Sequence, residues 1–189
     1  MASKLVPNYF ILVSFFLCSL INVPSTKAQL ETLAPDQAKA EAAGMTHIHF
    51  FFHDILSGKN PTAITIIQPA SSSTTSFGLM NMIDDKLTED PDPSSKEVGR
   101  AQGFYAASSL GEIGFMQAMN LVFTDGAYNG SVITVLGRNA PLHATREMSI
   151  VGGTGQFRFA HGYAIAKTHT LDITTGDAIV EYDVYVTTH

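Results

Sequence analysis

The 189-residue chain has one cysteine, Cys18, and no tryptophan. A single cysteine excludes an internal disulfide framework. Charge is also scarce: only 15% of residues are Asp, Glu, Lys or Arg, and the formal net charge is −6. An acidic surplus of this kind argues against a nucleic-acid partner, whose phosphates call for a basic face. Long hydrophobic runs are almost absent. One spans residues 10–21, too short to cross a bilayer, and no second run of spanning length follows, so no membrane partner is expected. There is no Gly-x-Ser-x-Gly nucleophile elbow and no sustained helical periodicity.

The one apolar run fits a secretory leader. Lys4 precedes it, and Ser25-Thr26-Lys27-Ala28 supplies small residues suited to cleavage before Gln29. Residues 1–28 are therefore expected to be a signal peptide that carries Cys18 away, leaving no thiol nucleophile. Lys4 and Lys27 leave with it, so 9 basic residues face 17 acids and the formal charge becomes −8. Residues 29–45 are expected to form a polar N-terminal arm, and residues 46–189 one domain. Secretion is the expected destination. Asn129-Gly130-Ser131 is a glycosylation sequon consistent with that route, whereas Asn60-Pro61-Thr62 is excluded by its proline.

After Gly44 the chain breaks into short segments of β character. The spacing predicts strands over 46–54, 63–68, 77–84, 98–108, 118–123, 131–136, 145–151, 157–168 and 179–186. An acidic, proline-interrupted loop is predicted over 85–95. Asp125-Gly126 and Asn129-Gly130 supply the positive-φ positions a hairpin needs. Eight or nine strands at close intervals point to an all-β antiparallel sandwich or barrel. A barrel of about eight strands encloses room for one small ligand. Between 162 and 168 one strand face is small throughout (Gly162, Ala164, Ala166, Thr168). Such a face either leaves space for a ligand or makes room for large neighbours.

Ile48-His49-Phe50-Phe51-Phe52-His53-Asp54 carries the sharpest chemical signal. Strand side chains alternate, so Ile48, Phe50, Phe52 and Asp54 share a face, and Asp54 is expected as a lone acid at the end of an apolar interior row. A buried carboxyl is costly unless it is used or satisfied. Arg146 likewise shares a face with Met148 and Ile150 and needs an anion or several acceptors. Two readings stay open: Asp54 and Arg146 form a structural ion pair, or Asp54 is an acid/base group tuned by its neighbours. His47, His49 and His53 lie on the opposite face, and His47 and His49 have metal-ligand spacing, but no nearby Asp or Glu completes a set, so outer-face packing is expected. Val151-Gly152-Gly153-Thr154-Gly155 lacks the following helix and lysine of a phosphate loop and is expected to be a turn.

Three stretches together resemble the plant dirigent protein family: Phe52-His53-Asp54-Ile55-Leu56, Gly99-Arg100-Ala101-Gln102-Gly103-Phe104-Tyr105, and residues 145–157 from Thr145-Arg146-Glu147 to Gly155-Gln156-Phe157. The resemblance runs from about Thr46 to the end of the chain. It implies an eight-stranded antiparallel barrel like that of allene oxide cyclase, a homotrimer, secretion to the apoplast, a phenolic small-molecule partner, and no metal or redox cofactor. It also implies Asp54 and Arg146 as catalytic residues, with Tyr105, Asn139 and Thr168 meeting substrate hydroxyls and Phe50, Phe52 and Met148 (with Ile150) forming an apolar wall. Lignan-forming members carry an aspartate where this chain has Asn139, and cysteines near their ends that it lacks. Residues 77–85 and 158–163 are more similar to the pterocarpan synthase branch. The implied activity is therefore dehydration of an isoflavan-4-ol through a quinone methide with stereoselective ring closure. The alternative is non-catalytic steering of phenoxy radicals made by a separate oxidase.

Overall fold

A computed structural model describes residues 43–188. The expected signal peptide and most of the arm lie outside the described residues. Within them run nine strands and two 3-10 turns. The strands are β1 (Thr46–Asp54), β2 (Ala63–Ile67), β3 (Met80–Thr88), β4 (Glu97–Ala107), β5 (Phe115–Phe123), β6 (Val132–Asn139), β7 (Arg146–Thr154), β8 (His161–Leu171) and β9 (Ala178–Thr187).

β1 pairs with β9 along its whole length, from Thr46 opposite Val186 to Asp54 opposite Ala178. The sheet then runs antiparallel through β8, β7, β6, β5 and β4 to β3. It closes where β3 returns to β1 through Phe51–Thr88, Phe52–Leu87 and His53–Lys86. The result is an eight-stranded antiparallel barrel, as expected, with β2 paired outside the closure on the first half of β3.

Alternation builds the interior. Ile48, Phe50 and Phe52 of β1 meet Met119 and Leu121 of β5, Ile133 and Val135 of β6, Met148 and Ile150 of β7, and Tyr182 and Val184 of β9 in one buried cluster. Fully burying one such side chain contributes roughly 1.5–3 kcal/mol. Phe50 stacks on Tyr182 with centroids 5.5 Å apart and planes 11° from parallel. Ala166 sits opposite Tyr182 in the ladder and, with Ala164, is fully buried. Those two small residues of β8 thus make room for large neighbours. Thr168, one inward position further on, is the member of that face that lines open space.

The two ends differ. At one end Phe123, Tyr128 and Phe157 pack in a triangle, with centroids 5.7 Å apart for Phe123–Phe157 and 5.0 Å for Tyr128–Phe157. The expected hairpin loop lies here, with Gly126 and Gly130 at φ +69° and +80°. The other end receives Asp54 and the loops before β2, β3, β5, β7 and β9.

Several boundaries move: β3 begins at Met80, β5 begins at Phe115, β6 runs on to Asn139 and β8 to Leu171, and two further shifts change what faces the interior. The segment from Asp85 is not loop until after Thr88, because β3 continues with Asp85 and Leu87 buried and Asp84 turned outward. Asp84 there accepts from Arg100 Nε at 2.9 Å. The glycine turn also begins later: β7 continues through Gly153 and Thr154, and Phe157 belongs to the turn rather than to β8. Gly153 is tolerated in the strand because a Cβ there would lie 2.7 Å from the Phe157 side chain.

Candidate functional site

The open end holds a cavity of about 390 Å³. Phe52, Leu79, Phe115, Val180 and Tyr182 form its apolar wall, and Leu142 and Ile173 stand at its rim. Besides Ser76, in the loop before β3, and the Tyr182 hydroxyl, seven polar side chains line it: Asp54, Asn81, Tyr105, Gln117, Asn139, Arg146 and Thr168. They form two separate groups.

The acidic group lies on β1, β3 and β4. Thr65 Oγ1 donates to Asn81 Oδ1 (2.8 Å), and Asn81 Nδ2 donates to the Tyr105 hydroxyl (2.7 Å). The Tyr105 hydroxyl in turn donates to the Asp54 carboxyl. This chain orients Asp54 from behind, yet its Oδ1 is buried without a partner. Burial pushes Asp54 up to about 7, with Asp177 adding to the effect and the Tyr105 hydrogen bond opposing it. Burial also raises Tyr105 and Tyr182 above the ordinary phenol value, so both stay neutral.

The cationic group lies on β5, β6, β7 and β8. Arg146 is 5% exposed. Its Nε donates to Asn139 Oδ1 (3.1 Å), and its Nη1 to Thr168 Oγ1 (2.8 Å) and the His143 carbonyl (3.4 Å). Asn139 Nδ2 donates to Gln117 Oε1 at 2.6 Å, and Thr168 Oγ1 also reaches the Pro141 carbonyl at 3.2 Å. Every one of these acceptors is neutral. The guanidinium keeps its full charge in a half-enclosed site, the arrangement that attracts an anion or an oxygen gaining negative charge.

Four corrections to the sequence reading follow. Arg146 forms no ion pair with Asp54; β9 and β8 separate their strands, and Arg146 is not among the groups that shift Asp54. Neither the structural ion pair nor direct tuning of Asp54 by Arg146 therefore stands. Phe50, Met148 and Ile150 lie deeper in the core and do not line the cavity, because the barrel is solid below Phe52. Asp54 is not the lone interior acid, since Asp85 is fully buried as well. The outer histidines also have acidic neighbours: His47 Nε2 lies 2.9 Å from Asp183 and His49 Nε2 3.0 Å from Glu181, across β9. Strand pairing rather than sequence proximity brings these acids in. His53 does not pack on the outer surface: it is buried, with Nε2 2.7 Å from Thr88 Oγ1. Among the described residues no group of three or more His, Cys, Asp or Glu has metal-holding geometry.

Asn81, Gln117 and Phe115 are cavity residues the sequence reading missed. Asn81 had a detectable signal, because it shares a strand face with Ile83, Asp85 and Leu87.

A closed antiparallel barrel, plugged at one end and carrying an acid and an arginine in an apolar cavity at the other, is built to take up a small molecule. Residues 45–187 match the family described as Dirigent-like protein. The chain is 51% identical over 144 residues to Dirigent protein 21 of Arabidopsis thaliana, covering 75% of this chain and 76% of that protein. It is 46% identical over 179 residues to Pterocarpan synthase 1 of Glycine max, covering 92% and 96%. Among solved structures it is similar to a pterocarpan synthase dirigent protein, with 47% identity, a TM-score of 0.73, and coverage of 77% of this chain and 96% of that one. The chain belongs to the dirigent family.

Proposed function

We propose that the protein is a pterocarpan synthase-like dehydratase, which removes water from an isoflavan-4-ol through a quinone methide and closes the ring stereoselectively. One observation carries this reading: the Asp54 carboxyl lines an apolar-walled cavity with its Oδ1 buried without a partner and no cation paired to it, an environment that pushes it up to about 7. Similarity to pterocarpan synthases supports it.

In this mechanism Asp54 gives its proton to the departing C4 hydroxyl, which leaves as water. The 7-hydroxyl gives its proton to solvent at the open end of the cavity, which completes the quinone methide, and Arg146 stabilises the oxygen on which negative charge builds. The 2′-hydroxyl then attacks C4, its proton returns to Asp54, and the quinone methide oxygen takes a proton back from that solvent. Tyr105, Asn139 and Thr168 orient substrate hydroxyls. Phe52, Phe115 and Tyr182 hold the flat rings and keep out the water that would trap the intermediate. Each step is a proton transfer or a C–O bond change, so the chemistry calls on no metal or redox cofactor.

The same reading includes secretion to the apoplast, an N-glycan on the exposed Asn129, and a homotrimer. The test is to incubate purified protein with a cis-isoflavan-4-ol and read products by chiral chromatography, with and without added laccase. Formation of one pterocarpan enantiomer by the protein alone supports the proposal. Product that forms only from coniferyl alcohol, and only with laccase, instead makes the protein a steering partner of an oxidase. That outcome has standing because the relatives include proteins named simply as dirigent proteins.

A further inference from the structure

We propose that Asp85 is a positioning residue for Asp54: the two carboxyls face each other across the β1–β3 seam as an acid pair, and the proton kept on Asp85 steadies Asp54 when it becomes an anion. The inference rests on the reading that Asp54 is the proton donor in the cavity.

The seam's register argues for it. Phe51 lies opposite Thr88, Phe52 opposite Leu87 and His53 opposite Lys86. Continuing by one residue puts Asp54 opposite Asp85, on the face that also carries Phe52 and Leu87. Side chains directly opposite in an antiparallel pair have Cβ atoms about 4.5–5.5 Å apart, close enough for two like charges to repel strongly. β3 changes partners at this point: Asp84 N–H donates to the Thr62 carbonyl at 2.9 Å, and β2 takes over the pairing. Thr62 Oγ1 accepts from Ile55 N–H (3.2 Å) and donates to Asp85 Oδ1 (2.5 Å), tying the residue after Asp54 to Asp85.

Asp85 has no solvent exposure and does not line the cavity, so it cannot touch a substrate there. Asp54 Oδ1 and Asp85 Oδ2 are each buried without a partner. Two such oxygens are costly as a pair of anions and become compatible when a proton is present. The surrounding charges agree. Burial and then the Asp54 charge push Asp85 up to about 8; Asp84 adds to this, and the Thr62 hydrogen bond and Arg100 oppose it. On the Asp54 side, Asp177 pushes the same way and Tyr105 opposes. Tyr182, also within electrostatic reach of both, stays neutral. The pair thus loses its protons one after the other.

In turnover the Asp54 proton goes to the leaving hydroxyl, and the C–O bond breaks to release water. Asp54 is then a carboxylate beside a carboxylic acid rather than beside a second carboxylate. Ring closure returns the 2′-hydroxyl proton to Asp54, and Asp85 gains and loses nothing over the cycle.

Carboxyl ¹³C NMR titration of the wild type, D54N and D85N tests the pair without any substrate. Coupling predicts that D54N lowers the Asp85 midpoint by about one pH unit or more. An Asp85 midpoint that is unchanged in D54N, or that lies in the ordinary carboxylate range in the wild type, overturns the proposal. The D54N arm decides this even if D85N does not fold. In the conversion assay D85N should lower kcat by about tenfold with little change in KM; an unchanged kcat also overturns it. Coupled midpoints in a protein that converts no isoflavanol would refute the functional reading above and leave the acid pair standing.

Discussion

A carboxyl raised to about 7 by burial serves as an acid only while it keeps its proton. Dehydration should therefore be full at mildly acidic pH and fall as pH rises through about 7, following Asp54. Asp54→Asn keeps the shape and removes the acid, and the loss in kcat should be about 10²–10⁴-fold; an unchanged rate would remove Asp54 from the chemistry. Stability follows the same groups. Both acids bind protons more tightly folded than unfolded, so their contribution is complete below the ordinary carboxylate range. It is lost as pH climbs to about 7 for Asp54 and about 8 for Asp85. Thermal melts should thus show Asp85→Asn gaining on the wild type by a few degrees between pH 5 and pH 8. The two acids were not equally legible in the sequence. Asp54 ends a row of three apolar residues and stands out. Asp85 lies in Asp84-Asp85-Lys86, beside a proline-rich acidic stretch, where charge density argues for solvent. Only the alternation Asn81, Ile83, Asp85, Leu87 betrays it, and that pattern needs the strand to be known to reach Thr88.

At the scale of elements, the barrel divides its work between its ends. Phe157 is 2% exposed and closes the end away from the cavity against Phe123 and Tyr128. Phe157→Ala should cost about 3–5 kcal/mol in chemical denaturation, with little change in KM for the molecules that remain folded. A large KM change would mean the plug and the cavity are coupled. Strand existence was readable because β-branched and aromatic alternation is strong, and β1 begins and ends where the pattern says. The Gly153 boundary was not readable, because a glycine pair signals a turn unless one knows that Phe157 folds back onto it. The cavity wall was readable at Phe52 but not at its depth. Phe50 and Met148 share inward-facing positions with true cavity residues, and only the layer of the barrel in which each side chain sits separates core from lining. Arg146 was recognisable as a buried cation, while its neutral partners on β6 and β8 come from strand order that spacing does not encode.

At the scale of the whole barrel, the described residues present an outer surface that closure of the barrel does not explain alone. Ladder partners carry an outward apolar row across five strands: Ile64 on β2, Met82 on β3, Phe104 on β4, Ala118 on β5 and Leu136 on β6. Ile64, Met82 and Leu136 are 54%, 41% and 37% exposed. Met80 and Met116, on neighbouring rungs, widen the row. The other outer face, on β1 and β9, is by contrast laced with the His47–Asp183 and His49–Glu181 pairs. Contiguous apolar surface of this kind marks contact with another protein. For the proposed homotrimer the natural occupant is the same surface region of neighbouring copies. A charge placed there should be tolerated by a monomer and not by a buried interface, since an unpaired buried carboxylate is costly. Met82→Glu and Leu136→Glu should therefore shift the mass in light scattering from three chains to one, while the isolated barrel keeps its cavity, which opens at the end rather than the side. A trimer that survives both substitutions would place the interface elsewhere on the barrel.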